Sequence, residues 1–294
     1  MRAVERVKTH PLLYSYHYVR FKLLNLTKPQ NIPSYVFMLS TGRCGTQTLA
    51  ALFGIAKNTF AFHEPQPRMG RLSRLAYMQA SPASNEMLAE AFAIARHGLL
   101  QTVELTGKHY VEAAHYNTFL APTINHSLPD AKFIHVVRNP VAVVSSAAQR
   151  RWYAGNIDDP TRILPRPGSG VPWESYNTVQ KNAWSWAETN RWIMEFCSTL
   201  SPERFLLVQA EDIFTGKREM IERLYAFTGI PQPSEKQIER VLGNKLNARP
   251  QPESPSKKEQ IAAEIWDITQ DVAAQLGYVR PVTEESVGKS SAKG

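Results

Sequence analysis

The chain has 294 residues, enough for one α/β domain with long loops, and its 34 Lys and Arg outnumber its 26 Asp and Glu. The resulting charge of +8 favours anionic ligands. The basic residues are scattered without a zinc-finger, RNP-type or basic-zipper pattern, which argues against nucleic acid as the partner. Two cysteines exclude a disulfide framework, and no apolar run reaches the roughly 18 residues of a membrane span, so we expect a cytoplasmic protein without stable membrane insertion.

The chain ends differ in composition from its middle. Residues 1–33 are basic and poor in acidic residues, and they lack the apolar centre and cleavage site of a secretory signal. We expect a docked N-terminal arm there, with a transit peptide as the alternative. Residues 283–294 are small and polar, which predicts a disordered tail. The prediction is therefore a single domain over residues 1–282 that includes the arm.

Five short apolar, β-rich segments predict strands, at residues 35–39, 59–62, 110–113, 133–137 and 205–208. Helical patterns lie between most of them, which implies an α/β fold with a central parallel sheet flanked by helices. Ligands of such sheets bind beyond the carboxyl ends of the strands. The residues that follow each strand are therefore the candidates for a functional site.

Helical periodicity predicts helices at residues 46–53, 85–100, 140–151, 178–200, 217–228, 234–242 and 257–276. Two segments, 154–177 and 247–259, are rich in Pro and turn-forming residues instead. Long loops in compact domains are often lids or binding loops. We interpret both segments in that way, with plain surface insertions as the alternative.

The turn S-T-G-R-C-G-T, residues 40–46, connects the first strand to the first helix. Gly42 and Gly45 would let backbone N–H groups converge on a phosphate at the helix N-terminus. The turn lacks the lysine and the spacing of the triphosphate loop G-x-x-x-x-G-K-[ST], which disfavours a nucleotide or small-molecule kinase. An ordinary strand-to-helix connection with a surface Arg43 is the alternative.

A second phosphate-type turn follows the fourth strand. Arg138 comes directly after that strand, and Pro140 fits the first position of a helix. Ser146 lies about two helical turns further on. Arg138 and Ser146 together could bind a phosphate through charge-assisted hydrogen bonds. Alone this would indicate a capped helix beside a solvated arginine, but two such turns on two strands favour a ligand.

These motifs resemble those of the PAPS-dependent sulfotransferases. The family's 5′-phosphosulfate loop, [K/R]-S-G-T-T-x-L, is matched by R-C-G-T-Q-T-L at residues 43–49, and its 3′-phosphate motif, R-[ND]-P-x5-S, is matched at residues 138–146. Residues 204–231 resemble the family segment V-x-Y-E-D-L…F-L-G-[IL]-P, and L-G-Y at 276–278 also fits. The resemblance implies a P-loop NTPase-like sulfotransferase fold, closer to the bacterial, carbohydrate and tyrosylprotein types than to the cytosolic small-molecule types.

The resemblance also implies an activity, the transfer of a sulfuryl group from PAPS (3′-phosphoadenosine 5′-phosphosulfate) to an acceptor. The acceptor hydroxyl would belong to a glycan, a lipid, a small alcohol or phenol, or a peptide tyrosine. A non-catalytic nucleic-acid-binding or scaffold module is the alternative of another class. The family's substrate pockets are built from loops, which here would be 65–78 and 154–177. Neither the acceptor nor the oligomeric state follows from the sequence.

The residues that the resemblance implies for PAPS binding are Arg43, Cys44, Gly45, Thr46, Gln47, Thr48, Arg138 and Ser146, with Lys245 and Arg249 as a later basic pair. Cys44 and Gln47 stand where the family has Ser and Thr, so the side-chain contacts of those positions do not carry over. Cys44 is not a phosphatase-type nucleophile, because the pattern C-x5-R would need an arginine where Ala50 stands. Arg43 and the helix N-terminus could neutralise the leaving group, which predicts a metal-independent reaction.

The acceptor hydroxyl must lose its proton, so the reaction requires a base. Glu64, after the second strand, is the first candidate, because many related sulfotransferases place a catalytic glutamate there, and His63 could orient or replace it. His115, after the third strand, is the second candidate, since the cytosolic types carry a catalytic histidine in K-T-H. Ala113 and Ala114 replace that Lys and Thr here. A surface glutamate and a packed strand-end histidine are the structural alternatives.

Overall fold

The structure, a computed structural model, describes residues 34–79, 81–155, 159–243 and 255–281. The predicted arm (1–33) and tail (283–294) lie outside the described residues, as do Lys245 and Arg249. Residues 247–254 of the second predicted loop also lie outside them. The remaining predictions can be compared with the structure directly.

Within these ranges the sheet has five parallel strands in the order β2-β3-β1-β4-β5. The strands are β1 (Tyr35–Leu39), β2 (Thr59–His63), β3 (His109–Ala113), β4 (Lys132–Val137) and β5 (Phe205–Gln209). Each predicted strand is present, and its ends lie within one residue of the prediction. The α/β fold with a central parallel sheet is therefore confirmed.

The helices are α1 (Thr46–Gly54), α2 (Gly70–Met78), α3 (Pro82–Thr106), α4 (Asn117–Ser127), α5 (Pro140–Gln149), α6 (Thr178–Ser198), α7 (Ala210–Phe214), α8 (Arg218–Thr228), α9 (Glu235–Gly243) and α10 (Pro255–Gln275). In the described ranges no helix combines the length and the apolar character needed to cross a membrane. All seven predicted helices are present with shifted ends, but α2, α4 and α7 were not predicted. The prediction of a loop over 65–78 is wrong in its second half, which is α2.

Both faces of the inner strands β1, β3 and β4 are buried, which explains why these strands read as nearly continuous apolar runs. In β1, Val36 and Met38 contribute to a core shared with α1, α8 and α10, whereas Phe37 and Leu39 contribute to a core shared with α3 and α4. All four side chains are fully buried. The central strand therefore provides a rigid base for the turn at residues 40–45 that follows it.

A buried ion pair joins α3 to the sheet. Arg96 donates from Nε and Nη2 to the two carboxylate oxygens of Glu112 at 2.7 and 2.8 Å, and both side chains are 0 % exposed. Tyr110 also donates its hydroxyl to Glu112. The remaining Arg96 nitrogen, Nη1, donates to the carbonyl of Pro67 at 3.0 Å. The pair thus fixes the segment that follows β2.

Candidate active site

A cleft of about 960 Å³ lies at the carboxyl ends of the strands, where the fold predicts a ligand site. The turns after β1, β2, β3 and β4 all contribute to its walls. The predicted site residues that line it are Arg43, Gly45, Thr46, Gln47, Thr48, His63, Glu64, His115, Arg138 and Ser146. The structure therefore brings together all the predicted site residues that it describes, except for Cys44.

The turn after β1 has the shape of an anion cradle. Gly42, Arg43 and Gly45 have φ values of 80°, 60° and 81°, in the left-handed region. The first hydrogen bond within α1 is donated by the Leu49 N–H to the Gly45 carbonyl. The three N–H groups of residues 46–48 precede that bond and form the helix N-terminus at the cleft.

Gly45 is required at its position for two reasons. Its positive φ is costly for residues that carry a Cβ. A Cβ built on it would also lie 2.5 Å from Cζ of Phe214, closer than two carbon atoms can approach. Phe214, at the end of α7, therefore presses directly against the turn.

Cys44 points away from the cleft. Its thiol is buried, lies 3.1 Å from Thr41 Oγ1 and donates to the Gly42 carbonyl at 3.2 Å. Burial raises the pKa of this thiol to about 11, so it stays protonated near neutral pH. The side chain therefore packs the inside of the turn, and only the Cys44 backbone is placed to meet a ligand.

The two predicted anion-binding motifs touch each other. Arg43 Nε donates to Ser146 Oγ at 3.0 Å, and Arg138 Nη1 donates to the Arg43 carbonyl at 3.1 Å. The guanidinium of Arg138 also lies 5.3 Å from the centre of the Phe214 ring. The turn after β1 and the turn after β4 thus form one continuous cationic surface.

Glu211, at the start of α7, positions the second of these turns. Its Oε1 accepts from the backbone N–H of Asn139 at 3.0 Å, and its Oε2 accepts from the Tyr278 hydroxyl at 2.7 Å. Asn139 in turn caps α5 by accepting from the Val141 N–H. This acidic residue therefore anchors the turn that carries Arg138.

The two candidate bases lie in hydrogen-bond contact. Strands β2 and β3 are neighbours, with His63 opposite Ala113, so the residues after them meet at the same edge. His115 Nδ1 lies 3.2 Å from Glu64 Oε1. That hydrogen bond lowers the pKa of Glu64 to about 2, while burial lowers the pKa of His115 below its usual 6.5.

These pKa shifts determine which of the two side chains carries the proton of their hydrogen bond. Near neutral pH Glu64 is a carboxylate and can only accept, so Nδ1 of the neutral His115 must carry the proton. Nε2 of the same ring then holds the free lone pair. In this arrangement the Glu64 carboxylate orients the His115 imidazole.

His63 has a different neighbour, since its Nε2 lies 3.3 Å from Thr46 Oγ1. Burial lowers its pKa below the usual value. His63 therefore sits at the N-terminus of α1 and makes no direct contact with His115 in the described hydrogen-bond network.

The position of Glu64 is constrained from several sides. Its φ of 48° is left-handed, which costs about 1–2 kcal/mol for a residue with a Cβ. The following residues are held by Tyr116, which donates to the Pro65 carbonyl at 3.1 Å, and by Arg96 at Pro67. Strain that is held in this way is common at functional sites.

Sequence reasoning missed several arginines that line the cleft, namely Arg68, Arg71, Arg150 and Arg162. The available signal was membership of the two predicted pocket loops, since Arg68 and Arg71 belong to 65–78 and Arg162 belongs to 154–177. Arg162 lies 3.4 Å from the centre of the Trp152 ring, and its Nε donates to Asp159 Oδ2 at 3.3 Å. This loop therefore contributes one wall of the cleft.

Comparison with known proteins agrees with the geometry of the cleft. A model described as the Sulfotransferase family matches residues 33–234. The chain belongs to the sulfotransferase family. No curated protein matches this sulfotransferase by sequence. The family assignment made from the two phosphate-type motifs is thereby confirmed.

Solved structures agree on the fold. The sulfotransferase domain from the curacin biosynthetic pathway aligns with a TM-score of 0.53 at 17 % identity, over 86 % of this chain and 100 % of that one. A sulfotransferase from Alicyclobacillus acidocaldarius gives 0.52 at 13 %, over 84 % and 96 %. Sulfotransferase STF1 from Mycobacterium tuberculosis H37Rv gives 0.51 at 11 %, over 86 % and 81 %. At such identities the likeness shows the P-loop-like sulfotransferase fold alone.

Proposed function

We propose that this sulfotransferase moves a sulfuryl group from PAPS to an acceptor hydroxyl. The observation that carries the proposal is the 3.0 Å hydrogen bond between Arg43 and Ser146. It joins the two turns that would bind the two ends of one doubly phosphorylated nucleotide. A single small anion would need only one of them.

The residues of the cleft fit such a donor. Its volume of about 960 Å³ is in the range of small-molecule and cofactor sites. The N–H groups of residues 46–48 and Arg43 would hold the 5′-phosphosulfate, and Arg138 with Ser146 would hold the 3′-phosphate. Gln47 and Thr48 line the cleft and add polar side chains at the helix N-terminus.

The donor supplies an activated sulfuryl group, and the protein supplies alignment and charge. Arg43 and the N-terminus of α1 would stabilise negative charge that develops on the leaving oxygen. His115 Nε2 would take the proton from the acceptor hydroxyl, with Glu64 holding the ring through Nδ1. We favour His115 over Glu64 as the base, because a carboxyl with a pKa of about 2 is a weak proton acceptor at neutral pH.

Cofactor affinity tests the assignment of Arg138. Calorimetric titration of the protein with adenosine 3′,5′-bisphosphate should give micromolar affinity, which falls about tenfold or more in Arg138→Ala because the charge at the 3′-phosphate is lost. Arg223→Ala is the matched control, since Arg223 is exposed on α8 and does not line the cleft. Tight ATP binding without bisphosphate binding would instead support a kinase.

Turnover should not depend on a divalent metal. Arg43 and the N-terminus of α1 already provide positive charge where the leaving oxygen would lie. Activity measured after exhaustive dialysis against EDTA should therefore equal activity with added Mg²⁺. A loss that Mg²⁺ restores would show that Arg43 and the helix N-terminus do not neutralise the leaving group by themselves.

A further inference from the structure

The cleft holds arginines beyond those assigned to the nucleotide donor. Its described lining residues include Arg43, Arg68, Arg71, Arg138, Arg150 and Arg162, whereas Glu64 is the one carboxylate among them. Arg43 and Arg138 belong to the two turns proposed for the donor. Arg150 follows α5, the helix that carries Ser146, so it also lies on the donor side.

Arg162 lies near the proposed base. Its guanidinium stacks on Trp152, and a Cβ on Gly42 would lie 3.1 Å from the Trp152 ring and 3.6 Å from His115. The adjacent segment contacts the start of α2, because a Cβ on Gly70 would lie 2.9 Å from the methyl group of Thr161. Arg71, next to Gly70, lines the same part of the cleft.

The guanidinium of Arg162 has the donors and the surroundings to bind an anion in addition to Asp159. The side chain is only 15 % exposed and is stacked on Trp152. Within the described residues its one ion pair runs from Nε to Asp159, whose carboxylate also accepts two hydrogen bonds from Thr161. Its two terminal nitrogens donate no hydrogen bond to the part of the chain that the structure describes, although a desolvated cation gains most from a full set of acceptors.

We propose that the acceptor carries an anionic group, a carboxylate, phosphate or sulfate, and that Arg162 binds it on the His115 side of the cleft. The planar guanidinium can bind such a group with two parallel hydrogen bonds. Arg71 adds a second positive charge from α2. The acceptor hydroxyl is thereby held next to His115 Nε2. This inference rests on the proposed function, since it assigns the donor to the turns after β1 and β4.

Binding of a second anion beside the bound bisphosphate tests the inference without any measurement of catalytic activity. Protein saturated with adenosine 3′,5′-bisphosphate is titrated calorimetrically with inorganic phosphate. We expect Arg162→Gln to weaken phosphate binding about tenfold or more, whereas Arg223→Gln, which removes the same charge elsewhere, leaves it unchanged. Arg162→Lys should retain part of the affinity, because it keeps the charge but loses the planar fork.

The outcomes separate the inference from the proposed function. If the bisphosphate does not bind, the donor assignment fails. If it binds but phosphate affinity is equal in Arg162→Gln and Arg223→Gln, the anion site at Arg162 is refuted. Weaker bisphosphate binding in Arg162→Gln would also overturn it, by assigning Arg162 to the donor. Should Arg162→Gln fail to fold by circular dichroism, Arg71→Gln on exposed surface replaces it, with a smaller expected loss.

A pair of sugar acceptors that differ in charge provides a kinetic test. Methyl glucuronide and its uncharged amide, methyl glucuronamide, carry the same hydroxyls and differ in charge, so the anionic member should be the better acceptor by about tenfold in kcat/KM, and Arg162→Gln should remove that preference. A preference for the neutral member would contradict the inference. If neither sugar is turned over, the phosphate titration decides alone.

Discussion

Replacing His115 with asparagine should lower kcat by about 10²–10⁴-fold, the usual contribution of a general base. The asparagine amide can still donate to Glu64 Oε1 from the place of Nδ1, which His115 occupies at 3.2 Å, so the packing of the pair is kept while the Nε2 lone pair is removed. Affinity for adenosine 3′,5′-bisphosphate should stay within about twofold, because the donor turns are untouched. The measurements are single-turnover kinetics and calorimetry on the same preparation.

The pH profile discriminates between the two candidate bases. With His115 as base, kcat/KM should rise as pH passes the histidine pKa, which burial holds below 6.5, and should level off above it. Glu64 and Asp159 raise this pKa and Arg162 lowers it, so Glu64→Gln should shift the acid limb to lower pH as well as reduce the rate. With Glu64 as base, its pKa of about 2 would leave the profile flat across the mildly acidic range.

Replacing Glu112 with glutamine should lower the free energy of unfolding by about 3–5 kcal/mol, because the Arg96 charge would remain buried without its partner. Glutamine keeps nearly the same shape, so the loss would not come from a cavity. Urea denaturation followed by circular dichroism measures it. Glu222→Gln is the matched control, since its pair with Arg218 is exposed and should matter little.

The same variant should also affect catalysis. Arg96 holds the Pro67 carbonyl, and the segment between Glu64 and Pro67 would lose that constraint when the ion pair is broken. A stability loss of less than about 1 kcal/mol would show that the pair is not essential to the fold. A stable but slow variant would place the role of the pair in positioning Glu64.

The strands of the sheet could be predicted because each one is recognisable from a short stretch of neighbouring residues. Each strand is a short run rich in apolar residues, and the three inner strands β1, β3 and β4 are buried on both faces. The missed helices lack such signals. Helix α4 begins after Tyr116 without a side-chain cap and contains Pro122, which usually breaks a helix. Helix α2 begins at Gly70, whose small size is needed for contact with Thr161, a constraint that comes from a distant loop.

The candidate site was predictable residue by residue but not as an arrangement. Glu64 and His115 were identified as rival bases because each follows a strand. Pairing the strands in the order β2-β3 would have shown that the two meet. The position of Arg162 depends on stacking against Trp152 across a long loop, and no period in the sequence encodes that contact.

The contact between Phe214 and Gly45 has a consequence for variation among relatives of this protein. The ring at 214 sets how much room the turn has, so the two positions are not free to change independently. A relative with alanine at the position of Gly45 would need a smaller side chain at the position of Phe214, and also a changed φ in the turn. Protein engineers who wish to widen the cradle for a bulkier donor analogue should therefore begin at residue 214, which touches the turn without belonging to either anion-binding motif.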